Sequence, residues 1–424
     1  MTDTSPPGMQ IAPKGHISDS SKGNDTSTTA YGSGSDRHAL ERLLRLGLAE
    51  SLDQGRTIDF ETSEELSRLI PIVCAYFSRE ELARLIGEKN TTKMLEMHRT
   101  EALQNLLLEH ELQKLLRAFN EAAIRLMLFK GPALAYTFYP ESHLRTYHDI
   151  DALIHPHDVS LAHDVLTSMG YSCYEEYRAH AITKQRSSYN YLLTLSGSRL
   201  EVLIELHVAP HESDIGTNFD VKALWARAQP ITVLGEPVLT MHPLDHLLYL
   251  CWHYRFHGFT RLVWLYDLVV LVRAAGPQID WVALVQAARR QHLAATIYYC
   301  LCWCRDLFGV AIPAQVFAAL HPPLAVRLLI ERVAIPDVAK TLATVQGRSR
   351  RVLAHHAMVD STAKLLGAAA RTFFPAPTLL GERYMQHSRL PIRLYFLYYF
   401  IHPWLTLAKG CRYLLTLLRR TLLK

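Results

Sequence analysis

Asp149 and Asp151, one residue apart in the run HDIDALI, carry the most specific chemistry in this chain. The run is short, apolar and bounded by turn signals, so it reads as a buried strand, and side chains at i and i+2 of a strand leave one face. Two carboxylates on one face make a hard, oxygen-rich site suited to Mg²⁺ or Mn²⁺. A third acid on a neighbouring strand would complete a clamp for in-line phosphoryl or nucleotidyl transfer. Glu205, inside VLIELHV, is the first choice for that acid, and Glu201, on the same strand face, is the second. His207 follows Glu205 by two residues and shares its face, where it could orient the acid or touch a ligand. Upstream, Lys130-Gly131 closes the run RLMLFKG. A glycine there lets backbone N–H groups approach phosphate oxygens, and a lysine adds a point charge. Arg145, four residues before the first aspartate, is placed to neutralise a phosphate or to brace the acids. A bare aspartate pair also fits a solvated surface strand; the company of Lys130, Gly131 and Arg145 favours chemistry.

These residues need a sheet to hold them. RLMLFKG, DIDALI and RLEVLIELHVA read as strands, GEPVLTMHP as a final strand and turn, and HDVSLAHDVLTSMGY as a helix ending near Gly170. Strands mixed with helices predict an α+β core over 119–240. Leucines at three- and four-residue spacings predict a helical region over 37–118, and a second helical domain is expected over 241–345. Residues 1–36 read as a disordered lead-in without a secretory apolar segment, and 346–424 as a helical tail. In the downstream helices His253 and His257 are i, i+4 neighbours. With Arg261 and Asp267 they form either a polar seam against the core or the lining of a cleft closing over a base. Trp252, Tyr254, Trp264 and Tyr266 fit a packed core better than a stacking platform. His148, His155, His157 and His163 fit solvent or supporting roles, since Pro156 sets a turn between two of them and no HExxH occurs.

The ordered series LFKG, ALAYTFYP, LRTYHDIDALI resembles the nucleotidyltransferase superfamily related to DNA polymerase β. More closely, it resembles an uncharacterised bacterial nucleotidyltransferase-like family with a KG…YP…R…DIDLL signature. The likeness continues through Gly170-Tyr171, Glu205-Leu206-His207, the His253 helix and Trp264-Leu265-Tyr266-Asp267, over about residues 100–310. It implies a minimal nucleotidyltransferase fold, a short mixed sheet carrying the acids with helices against it. It also implies an NTP substrate, Lys130 and Gly131 at the nucleotide-phosphate loop, Asp149 and Asp151 on the metal pair, and Glu205 as third carboxylate. One departure stands out: Pro132 follows Gly131 where the superfamily has Ser or Gly, which removes an N–H donor. Three activities are consistent with such a chain. The first is nucleotidyl transfer to a small-molecule, peptide or protein hydroxyl. The others are a non-catalytic nucleotide- or partner-binding scaffold, and phosphotransfer from the γ-phosphate.

Composition narrows the class. Among 424 residues 49% are hydrophobic and 20% charged, enough to bury large cores, while a mean hydropathy of +0.02 excludes a polytopic membrane protein. The net charge of +5 is unevenly spread: 383–424 holds eight Lys or Arg and no acid, leaving 37 basic against 40 acidic side chains elsewhere. A slightly acidic body disfavours nucleic-acid binding. The basic, aromatic segment 389–424 suits a helix pair at an anionic membrane surface, or alternatively a hairpin packed on the fold. Seven cysteines without a framework spacing point to a reducing, cytoplasmic compartment. Cys300, Cys302 and Cys304 lie at helical steps that do not converge, and so read as buried thiols.

Overall fold

The computed structural model describes residues 34–53, 66–173, 188–194, 201–210, 219–344, 347–374 and 401–408. The chain enters through helix α1 (Gly34–Asp53) and a 3₁₀ turn at Ser67–Leu69, followed by α2 (Ile70–Tyr76) and α3 (Arg79–Ile86). Helix α3 begins at a capping box, in which Ser78 accepts from the Glu81 amide and Glu81 reaches back to the Ser78 amide; it stops at Gly87, whose φ is +81°. The long helix α4 (Glu88–Glu121) buries Leu108, Leu112, Leu115, Leu116 and Phe119, an i, i+3, i+4 stripe. Then come β1 (Met127–Leu128), α5 (Gly131–Thr137), β2 (Asp149–Leu153), α6 (Val159–Ser168), β3 (Ser172–Cys173), β4 (Ser188–Thr194) and β5 (Glu201–His207). After α7 (Val221–Arg227), strands β6 (Gln229–Val233) and β7 (Glu236–Thr240) form a hairpin whose turn residues Leu234 and Gly235 both have positive φ. Helices α8 (Pro243–Phe256) and α9 (Leu262–Ala275) lead into further helices from Trp281–Arg290 to Thr362–Phe373.

The strands make one mixed sheet in the order β3-β4-β5-β2-β1-β7-β6. This is the expected α+β core, a mixed sheet flanked by helices. Its two faces serve different purposes, set by the period-2 alternation of the central strands. Ile150 and Ala152 of β2 and Val202, Ile204 and Leu206 of β5 pack in one apolar cluster with the α4 stripe and with Ala162 and Leu166 of α6. Residues of the opposite parity, Asp149, Asp151, Leu203, Glu205 and His207, are left to the other side, where α8 and α9 lie. There Met127, Phe129 and Leu153 join a second cluster formed by α1–α3, α8, α9 and the helices that follow. The helices before and after the sheet thus share one core. Asp36 of α1, fully buried, ties them together by accepting from Arg273 of α9 and from the hydroxyls of Tyr76 and Tyr266.

Three strands were not expected from sequence. β3 is two residues long, β6 carries Pro230, and β4 carries polar Ser188, Asn190 and Thr194 with only part of its surface buried. Edge and half-exposed strands lack the apolar run that announces a central one. RLMLFKG yields only a two-residue strand, because the chain turns at Lys130 into α5. Cys300, Cys302 and Cys304 are buried free thiols on Ala294–Phe308. Among the described residues no helix is long and apolar enough to cross a membrane. Residues 1–33 of the lead-in, and all of the 389–424 tail except the helical turns at 401–408, lie outside the described residues.

Candidate functional site

Parallel pairing of β2 with β5 puts Asp151 beside Glu205, Asp149 beside Leu203 and Leu153 beside His207. The acids of two strands therefore meet at the sheet centre. His207 Nε2 lies 3.1 Å from Asp151 Oδ1 and 3.4 Å from Glu205 Oε2. The Phe129 ring meets the imidazole edge-on and limits how it can turn. Ligand atoms of Asp151, Glu205 and His207 all lie within 4.8 Å of one another, the one such group found among the described residues. The trio expected from sequence was Asp149, Asp151 and Glu205, so the set that closes up differs. Asp149 lies outside that group and lines the same cavity without a hydrogen bond or ion pair among the described residues. Burial and the Asp151 charge hold the Asp149 carboxyl above the usual carboxylate range. The hydrogen bond from His207 holds Glu205 below it. Burial would depress His207, but its bonds to Asp151 and Glu205 prevail and raise it. Glu201, the second choice for the third acid, is exposed at the start of β5, four residues before Glu205, where its register partner is Thr194 of β4.

Lys130 provides the cation between these acids. Its Nζ is 2.5 Å from Asp151 Oδ1 and 4.0 Å from Glu205 Oε2. Burial alone would favour the neutral amine, but the Asp151 charge overrides it and keeps the ammonium. The Lys130 backbone sits at φ +58°, ψ −136°, a conformation costing an L-residue about 1–3 kcal/mol and found mostly where the surroundings enforce it. Gly131 is needed for a different reason: a Cβ there would stand 2.7 Å from Tyr147 Cβ. Gly131→Ala is expected to lower stability by about 1–3 kcal/mol through overpacking, read as a fall in the denaturant midpoint at unchanged slope.

Arg145, expected from sequence either to neutralise a phosphate or to brace the acids, lines the cavity and is held by a buried ion pair. Its Nε and Nη2 donate to Asp267 at 2.7 and 2.9 Å and its Nη1 to the Thr146 carbonyl at 2.5 Å, with Tyr139 completing the Asp267 shell at 2.8 Å. Both charged partners are fully buried, and three of the five guanidinium N–H groups are taken by these bonds, which fixes the side chain in the cavity wall. Of the downstream polar seam, His253, His257 and Arg261 do reach the cavity, whereas Asp267 serves Arg145. Burial, Lys130 and Arg261 push His257 down to about 4, and burial pushes His253 the same way. Both imidazoles are therefore neutral at pH 7 and can accept hydrogen bonds. Trp264 joins the cavity wall, packed against both histidines with the Arg261 guanidinium 5.0 Å from its ring centroid. His155 and His157 are elsewhere, His155 stacking on Trp225, and His163 meets the Tyr191 hydroxyl.

The result is a cavity of about 190 Å³ whose lining combines the acids Asp149, Asp151 and Glu205 with Lys130, Arg145, Arg68 and Arg261, and with His253, His257 and Trp264. Arg68 was not anticipated. It lies on the 3₁₀ turn some 80 residues before the aspartates, and no motif marks it; only packing of the first helices on α9 brings it here. The donor set fits a hard divalent cation: carboxylate oxygens dominate it, an imidazole is at hand, and Asp149 adds a carboxylate with no ion-pair partner among the described residues.

A family described as uncharacterised nucleotidyltransferase matches residues 65–309, more than half of the chain. No curated protein matches it significantly. Among solved structures, an antigenic nucleotidyltransferase-like protein from Paracoccidioides brasiliensis is similar at 14% identity and a TM-score of 0.31, over 50% of this chain and 91% of that one.

Proposed function

The chain belongs to the uncharacterised nucleotidyltransferase family, and from that premise we propose that the acidic cavity transfers a nucleotidyl group from an NTP to a hydroxyl acceptor, a small molecule, a peptide or a protein, with Mg²⁺ or Mn²⁺ as cofactor. The observation that supports this reading best is the convergence of Asp149, Asp151 and Glu205 from two paired central strands onto one cavity. Asp151, Glu205 and His207 would hold the cation, with Asp149 alongside. When bound, it would supply Lewis-acid polarisation of the α-phosphate and a lowered pKa at the attacking hydroxyl. The protein's own part is positional and electrostatic. Lys130 offers an ammonium that can turn from Asp151 toward a phosphate oxygen. The neutral His253 and His257 can accept a hydrogen bond from a nucleoside or acceptor hydroxyl. Trp264 keeps bulk water off that wall, and the Arg145–Asp267 pair fixes the segment that leads into β2.

The seating of Lys130 between Asp151 and Glu205 favours a second reading, a nucleotide-binding scaffold in which the ammonium replaces a metal. ATP labelled separately at the α and γ phosphorus, incubated with Mg²⁺ or Mn²⁺ and a mixture of hydroxyl acceptors, separates the possibilities. Transfer of the α label with release of pyrophosphate is expected. Transfer of the γ label would replace the proposal with phosphotransfer, and saturable ATP binding with no transfer of either label would leave the scaffold.

A further inference from the structure

We propose that Arg68 and Arg261 form a polyphosphate-binding clamp in the cavity that also holds the carboxylates, so that the helices preceding the sheet contribute directly to ligand recognition. The proposal deepens the nucleotide reading and rests on it for the identity of the ligand, the β- and γ-phosphates of an NTP. Both arginines line the cavity. Both are half-buried, and neither makes an ion pair with a carboxylate among the described residues. Every other cation at this site is engaged: Lys130 with Asp151, Arg145 with Asp267. Asp149 and Glu101 are the acids that Arg68 feels, and both stay beyond ion-pair contact. Arg68 also feels Arg261 and Arg145 as like charges; burial and these two neighbours bring its guanidinium down to about 10. A desolvated guanidinium with like-charged neighbours, as at Arg68, is a cost to the free fold, which a bound polyanion reverses. Guanidinium nitrogens match phosphate oxygens in fork geometry, so each arginine can take two oxygens of a phosphate chain.

The spacing of functions follows the chemistry of the ligand. The α-phosphate belongs beside the carboxylates. The leaving pyrophosphate needs positive charge on the far side, where charge develops as the bond to the α-phosphorus breaks. The loop offers less from its backbone than an all-amide turn would, since Pro132 lacks an N–H. Arginines brought from elsewhere in the fold fill that role.

The test is calorimetric titration of the full chain with inorganic tripolyphosphate in chelator-containing, metal-free buffer, then with ATP and with AMP. Wild-type protein is expected to bind tripolyphosphate without metal. Arg68→Gln and Arg261→Gln should each weaken it by roughly tenfold or more, as expected for losing a charge-assisted contact. They should weaken ATP equally and leave AMP unchanged. Because neither arginine has an ion-pair partner among the described residues, the thermal midpoint should stay close to level, a result that loss of a structural ion pair would not give. Unchanged tripolyphosphate affinity in both variants would overturn the clamp, even with α-label transfer intact. Loss of tripolyphosphate binding in both variants of a protein that transfers no label would uphold the clamp and discard the transfer reading. Loss of AMP as well as tripolyphosphate would place the arginines at the nucleoside and overturn the assignment.

Discussion

Asp151→Asn is expected to reduce α-label transfer by roughly 10²–10³-fold, the range for removing one preorganised charge contact at a reacting phosphate. The substitution is nearly isosteric. The remaining amide oxygen can still accept from Lys130 or His207, so the change is one of charge more than shape. Its consequences spread, because Asp151 is the hub: Lys130 and His207 both meet its Oδ1, and Glu205 neighbours both. With the charge gone, Lys130 turns to Glu205, the opposite of what cation binding needs. Stability should fall too, since the ammonium loses its nearest partner in a site where Asp151 is 1% exposed. Asp149→Asn is the control that separates the two effects. Asp149 has no partner among the described residues, and its carboxyl is held above its ordinary range by burial and by Asp151. A raised carboxylate pKa means that ionisation costs folding free energy as pH rises through it, so at pH 7 the neutral amide should leave stability level or higher. Activity should nevertheless drop. Full activity in either variant, measured as pyrophosphate release alongside the unfolding midpoint, would remove the aspartate pair from the chemistry.

The second large effect is on the fold itself. Arg145→Met is expected to destabilise by about 3–5 kcal/mol, because it leaves Asp267 buried with an uncompensated charge. That is a large share of the roughly 5–15 kcal/mol of net stability typical of a folded domain. The pair joins the segment leading into β2 to α9, so its loss should also loosen the wall that carries Arg261 and Trp264. Replacing both partners, Arg145→Met with Asp267→Leu, should recover most of the loss, as apolar residues of similar volume often substitute for a buried ion pair. Recovery stays incomplete because Tyr139 donates to Asp267 and loses its acceptor. Denaturant unfolding of the single and double variants measures this directly. A double variant no more stable than Arg145→Met would show that the interaction is not one of charge compensation.

The site was legible in part, and the boundary between what was and was not follows physical lines. The central strands announced themselves because burial on both faces demands apolar runs, against which two aspartates and a glutamate stand out. Their parity also foretold which residues share a face. β4 and β6 left no comparable trace, since strands with a wet face or an edge tolerate Asn190 and Pro230. Asp149 and Asp151 looked equivalent as a motif; a lysine in a strained backbone conformation made them different by pairing with one. Arg145 read from its distance to the acids as either a phosphate neutraliser or a brace for them; its ion-pair partner, Asp267, lies 122 residues further on and no local pattern marks it.

Local pattern by itself determined the mixed α+β character, the face on which the acids stand and the kind of cation they suit. Alternation and residue chemistry are short-range properties, carried by a handful of neighbouring positions. Tertiary structure alone decided which acids close up with His207, that Arg145 pairs with Asp267 and that Arg68 and Arg261 reach the cavity, and that helices before and after the sheet share the core behind it. Charge pairing acts through space and is strongest where water is excluded, so a side chain's partner is known only once the fold has set what is buried beside it.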